Sequence, residues 1–188
     1  VDPNDAKHLL VGLGKEPAET PEGYGVYASR DGGKTWKKAN LPNYASYSIL
    51  FNSKNPRIVY AALLGEGVYQ SKDGGETFSK IKDDRLKYTY RMAMSASDPN
   101  VLLAGSNLFF AQLSPEEEST GKYGGLFKST DGGSTWKDII AGIRDYGPDK
   151  QGNFIGALYN FGHAPNFEQM LIDPRDHRHM IIGHHGEN

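Results

Sequence analysis

The chain contains no cysteine in its 188 residues, which excludes disulfides and thiol chemistry. The compartment stays open, because a large repeat fold needs no covalent staples. No apolar run approaches the length that spans a bilayer with a helix. Charge of one sign is also scarce. The formal net charge is −2 and the Lys and Arg residues are scattered, so no basic face for nucleic acid is expected. The sequence does not begin with Met and reads as an internal or processed segment. What it holds instead is 23 Gly, 10 Pro and 37% hydrophobic residues, a composition suited to many short strands and turns around a sizeable core.

One eight-residue phrase recurs. Ser29-Arg30-Asp31-Gly32-Gly33-Lys34-Thr35-Trp36 returns as Ser71-Lys72-Asp73-Gly74-Gly75-Glu76-Thr77-Phe78 and as Ser129-Thr130-Asp131-Gly132-Gly133-Ser134-Thr135-Trp136. Each copy follows a short alternating run, Gly25-Val26-Tyr27, Gly67-Val68-Tyr69 or Gly125-Leu126-Phe127. The unit is therefore a strand, a tight turn and a second strand that opens on an aromatic. The spelling has a physical reason. An Asp side chain accepts hydrogen bonds from backbone N–H groups further along the turn, and the glycines supply positive φ. Trp36, Phe78 and Trp136 are expected to pack inward. A second phrase sets the phase: Asp2-Pro3 leads into His8-Leu9-Leu10-Val11-Gly12 as Asp173-Pro174 leads into His179-Met180-Ile181-Ile182-Gly183. Weaker copies begin near residues 52 and 95, so repeats start near 2, 52, 95 and 173.

Ser/Thr-x-Asp-Gly-Gly-x-Thr-Trp resembles the Asp-box, or bacterial neuraminidase repeat, of sialidases, xyloglucan-degrading glucanases, sortilin-type sorting receptors and a photosystem assembly factor. The resemblance covers essentially the whole chain as a repeat array and implies an all-β propeller fold. It also implies that Asp31, Gly33, Trp36, Asp73, Gly75, Phe78, Asp131, Gly133 and Trp136 are structural turn residues rather than chemistry.

Strands are expected over 7–13, 24–30 and 35–40, then 46–52, 57–64, 67–72 and 77–82. A further set covers 89–95, 100–106, 124–129 and 135–140, and a last pair 167–172 and 178–184. With four-stranded meanders as blades, these make about three and a half blades. Propellers close with roughly four to eight blades, so the chain reads as one sector of a larger propeller, completed by further blades of the same polypeptide or assembly. A four-bladed ring closed by 167–184 is the lesser alternative.

In such a meander the Asp-Pro turns and Asp-boxes share one end. The long connections 14–23, 42–45, 82–88, 106–123 and 141–166 share the other. Long loops on a rigid repeat carry function, so that end is the expected functional face. It holds Tyr44, Tyr47, Tyr88, Tyr90, Tyr123, Tyr146, Tyr159 and Phe161 among Asp83, Asp84, Arg85, Arg91, Arg144, Asp145 and Asp149. Aromatic platforms beside charged groups suit carbohydrate; ordinary strand-end packing is the plainer alternative. The ligand-binding candidates are Tyr88, Tyr90, Arg91, Tyr123, Arg144, Tyr146, His163 and His184.

Glycoside hydrolysis needs two placed carboxylates. No spacing selects a pair; Asp145 and Glu168, the acidic residue of the inner strands, are the catalytic candidates. The run Glu116-Glu117-Glu118 reads as a solvated loop tip. A sialidase would need an arginine cluster, of which only Arg91 and Arg144 are evident. His163, His177, His179, His184 and His185 crowd the C-terminal part. The 177/179 and 184/185 pairs lie roughly 16 Å apart along a strand, and no shared metal or cofactor is expected. The glycine pairs sit at β-turns and suggest no nucleotide site. Two functions fit: an extracytoplasmic glycan-recognising and hydrolysing propeller, secreted, periplasmic or on the cell surface, and a non-catalytic propeller that binds a protein partner.

Overall fold

A computed structural model describes residues 1–14, 23–107, 113–120, 123–139 and 167–184; the side chains of Glu168, His184 and residues 118–120 lie outside the description. The chain is all-β, with four antiparallel sheets. The first is β1 (Leu9–Gly14), β2 (Gly23–Ser29) and β3 (Lys37–Lys38). The second is β4 (Ser46–Phe51), β5 (Val59–Leu63), β6 (Gly67–Ser71) and β7 (Ser79–Lys80). The third is β8 (Thr89–Met94), β9 (Leu102–Ser106), β10 (Leu126–Ser129) and β11 (Lys137–Asp138). The last pairs β12 (Phe167–Ile172) with β13 (Met180–His184). Every strand pairs with its sequence neighbour, the meander that the repeat phase predicts.

Alternation along each strand turns one set of side chains toward the preceding sheet and the other toward the following sheet. Val59, Ala61 and Leu63 pack with Val26 of the first sheet, whereas Tyr60 and Ala62 pack with Leu102 and Ala104 of the third. Leu103 and Leu126 then meet Phe167 and Met170 of the fourth. The core is thus a series of apolar layers between sheets rather than one central mass, as in radially repeated propellers.

The pole that carries the boxes is built alike in each repeat. The Asp-Pro turn is closed by Asp2 N to His8 O (3.0 Å), Asn52 N to Ile58 O (2.9 Å), Ser95 N to Val101 O (3.0 Å) and Asp173 N to His179 O (2.9 Å). Each box then donates to its own turn: Gly32 N to Lys7 O, Gly74 N to Arg57 O and Gly132 N to Asn100 O. Within the boxes, Asp31, Asp73 and Asp131 each accept from the Thr hydroxyl and Thr backbone N–H four residues on. These bonds favour the ionised form and hold each carboxyl down to about 2. The second glycine of each box has φ of 89°, 92° or 84° at Gly33, Gly75 and Gly133, which a side chain would strain.

One expectation fails here. Phe78 and Trp136 are buried at 7%, but Trp36 is 43% exposed. A box aromatic packs against the preceding sheet, and no sheet precedes Trp36 among the described residues. The first and last sheets do not close a four-bladed ring: Trp36, Leu171 and Ile181 all stand in solvent.

Candidate functional site

The loop-bearing pole is shaped by a repeated irregularity. Register shifts between Ser46 and Ser48, Thr89 and Arg91, and Phe167 and Gln169. One residue of each inner strand is therefore bulged out: Tyr47, Tyr90 and Glu168. Bulges re-aim side chains at sheet rims and beside binding sites. Here the first two put Tyr47 and Tyr90 in contact, ring centroids 4.7 Å apart and tilted by 44°. Arg91 follows. Its guanidinium lies 4.5 Å from the Tyr90 ring centroid, and Nη1 donates to Tyr47 O at 2.6 Å. An arginine held by a carbonyl and stacked on a ring is pre-organised for polar recognition. Burial pushes the Tyr47 hydroxyl pKa up, with a further contribution from Tyr90.

The ridge continues outward. Leu64 and buried Tyr88 pack with Tyr47, Leu113 and Tyr123, and Tyr88 and Tyr123 meet edge to face at 5.1 Å. Lys87 Nζ sits 5.1 Å from the Tyr88 ring centroid and 5.9 Å from that of Tyr123. Glu117, on the short helix α1 (Pro115–Thr120), joins the two halves. Its carboxylate accepts from Lys87 Nζ at 2.6 Å and from the Tyr88 hydroxyl at 2.9 Å. It also caps Ser114 N at 3.0 Å while Ser114 Oγ accepts from Glu117 N, a capping box. The Lys87 bond and then the Ser114 cap draw the Glu117 pKa down to about 2. Burial and then the bond to Glu117 push Tyr88 up to about 12. A small cleft lined by Glu66, Lys80, Asp83, Asp84, Lys87 and Tyr123 opens beside this cluster.

Tyr88, Tyr90, Arg91 and Tyr123 are thus on one continuous surface with Tyr47. Glu117 corrects the expectation of a solvated tip at 116–118: it is an anchor. Arg85 is likewise recruited to structure. It pairs with Asp83 at 2.6 Å, donates to Trp136 O at 2.8 Å and lies 5.3 Å from the Phe127 ring centroid, joining the second and third sheets. Arg144, Asp145, Tyr146 and His163 lie outside the described residues. Glu168 and His184 are placed by backbone only, His184 opposite Phe167. His179 Nδ1 lies 3.4 Å from Asp173 Oδ2, as His8 Nδ1 lies 2.9 Å from Asp2 Oδ2; both belong to the opposite pole. No group of three His, Asp or Glu suited to a metal ion occurs among the described residues. Lys87 and Glu117 escaped sequence reasoning, although the Ser114-x-x-Glu117 capping spacing was there to be read.

The family model described as Sortilin-Vps10 (Sortilin, neurotensin receptor 3) matches residues 24–153. No curated protein matches the chain. Among solved structures, a GH74 enzyme of Niastella koreensis is 20% identical at a TM-score of 0.59, with 97% of this chain and 24% of that one covered. An ancestral GH74 enzyme is 18% identical at a TM-score of 0.57, with 74% of this chain and 17% of that one covered. The chain thus spans a quarter or less of the length of these structures, and their likeness is one of fold.

Proposed function

Since this chain belongs to the Sortilin-Vps10 family, we propose that its loop-bearing pole captures a peptide segment of a partner protein, in an extracytoplasmic setting. The observation that carries this reading is the pair of equivalent bulges that brings Tyr47 and Tyr90 together under Arg91. Rings and an immobilised guanidinium make a rigid amphipathic anchor of the kind that dominates recognition surfaces. Recognition is favoured over hydrolysis by the state of the carboxylates there. Glu66, Asp83 and Glu117 are each paired with a cation, and the pKa of Glu117 is drawn down, opposite to what a general acid of glycoside cleavage needs.

The test is selection from a random peptide display library on the immobilised chain, alongside a polysaccharide and sialoside panel. Peptides are expected to be enriched, and Tyr47→Ala and Tyr90→Ala to lose them while still folding. Binding or turnover confined to the glycans, or peptide binding indifferent to both changes, would reject the reading.

A further inference from the structure

The sheets at the two ends each leave one face uncovered, and the repeat identifies what covers that face elsewhere. The strand registers align Leu9, Val59 and Leu102, then Leu10, Tyr60, Leu103 and Ile181, then Val11, Ala61 and Ala104. They align Leu50, Ala93 and Leu171 likewise. Wherever a following sheet is present, the rear positions are sealed: Tyr60 is 1% and Leu103 0% exposed. Leu171 and Ile181 hold these positions in the fourth sheet, and each is 61% exposed.

The front of the first sheet shows the converse. Val59, Ala61, Leu63 and Phe78 form the covered front of the second sheet, all at or below 7%. Their counterparts include Leu13 at 39% and Trp36 at 43%. The missing contact is defined by the interfaces already made. A box's second glycine lies over the central residue of the preceding sheet. A Cβ on Gly75 would meet Leu10 Cδ1 at 2.9 Å, and one on Gly133 would meet Tyr60 Cε1 at 3.3 Å. The Tyr60 hydroxyl also donates to Gly132 O at 2.8 Å, and Trp136 packs into the same layer.

We propose that the open faces pair between two copies of this chain, head to tail: Ile181 and Leu171 of one copy receive Gly33 and Trp36 of the other, in continuation of the interfaces between its own sheets. The surfaces fit because both descend from one repeated interface, whose two halves are displayed separately at the ends. Such a contact is heterologous and either closes into a ring or propagates. Two copies bring eight sheets, within the range of roughly four to eight at which propellers close.

Sedimentation of the 188-residue chain is expected to show a species of twice its 20.7 kDa that dissociates on dilution. Trp36→Asp and the double variant Leu171→Asp/Ile181→Asp should each raise the dissociation constant by roughly thirtyfold or more, the scale of a lost hot spot. All three positions are exposed in the single chain, so circular dichroism should stay unchanged. An equimolar mixture of the front and rear variants should associate where neither does alone, because one intact front then meets one intact rear. A wild-type chain that sediments as a single copy at every concentration would overturn the proposal. So would a dimer that survives these substitutions, failure of the mixture to associate, or a longer polypeptide whose additional sheets cover both faces and leave it monomeric.

Discussion

Tyr47 and Tyr90 stand at the same bulged position of successive repeats and touch, their ring centroids 4.7 Å apart. The repeat that builds the scaffold thereby also builds a paired aromatic surface, at the pole where connections are free to lengthen. Replacing Tyr90 by Ala should cost about 2 kcal/mol of binding, roughly thirtyfold, in a titration with a library-selected peptide. The melting temperature should fall by only a few degrees, because Tyr90 is partly exposed and makes no interface layer.

The latch at Glu117 should respond to acid in a definite direction. Its pKa is lowered to about 2 by Lys87 and then the Ser114 cap. The stabilisation is therefore full above the unfolded value near 4.5 and disappears as pH falls from about 5 toward 2. Glu117→Gln should cost about 1 kcal/mol or less at neutral pH. Urea denaturation of both proteins between pH 7 and pH 2.5 should show the difference shrink on acidification.

Box carboxylates should titrate unusually low for exposed groups. The Asp131 pKa sits at about 2, first through the Thr135 hydroxyl and then through the Thr135 backbone N–H. Thr135→Val removes the larger cause and should raise it. Carboxyl chemical shifts followed by NMR against pH would show this, and an unmoved value would mean that the hydroxyl is not what holds the charge.

The glycines of one box should be unequal. A Cβ on Gly32 would meet nothing within 4 Å, whereas at Gly75 it would strike the Leu10 side chain at 2.9 Å. Both have positive φ, so each Ala substitution is strained. Gly32→Ala should cost about 1 kcal/mol, and Gly75→Ala up to about 3, read from thermal unfolding.

Trp136→Ala should cost about 3–5 kcal/mol, the range for a buried aromatic. In dilute solution Trp36→Ala should cost under about 1. Equal losses would contradict the layered core.

The strand order, the phase of the repeats and the segregation of boxes from long connections were all legible in the sequence, because they follow from local turn chemistry and period-two alternation. Trp36 was misjudged for a reason that the same logic exposes. An identical spelling buries its aromatic only where a neighbouring sheet supplies the other half of the layer, and spelling carries no record of neighbours. The bulges at Tyr47 and Tyr90 were invisible because inserting one residue leaves the apolar pattern on either side intact. The Lys87–Glu117 bond joins residues 30 apart in sequence, a separation at which charge runs such as 116–118 give no sign of a partner.

The closure of each Asp-Pro turn against its own box has an evolutionary corollary. A module whose stem is stapled within itself can be copied without renegotiating its foundations, while its tip remains blank for innovation. Variation in such a lineage should accumulate at one pole as insertions and at the other hardly at all, so that new partners are acquired by rewriting loops on an unchanged chassis.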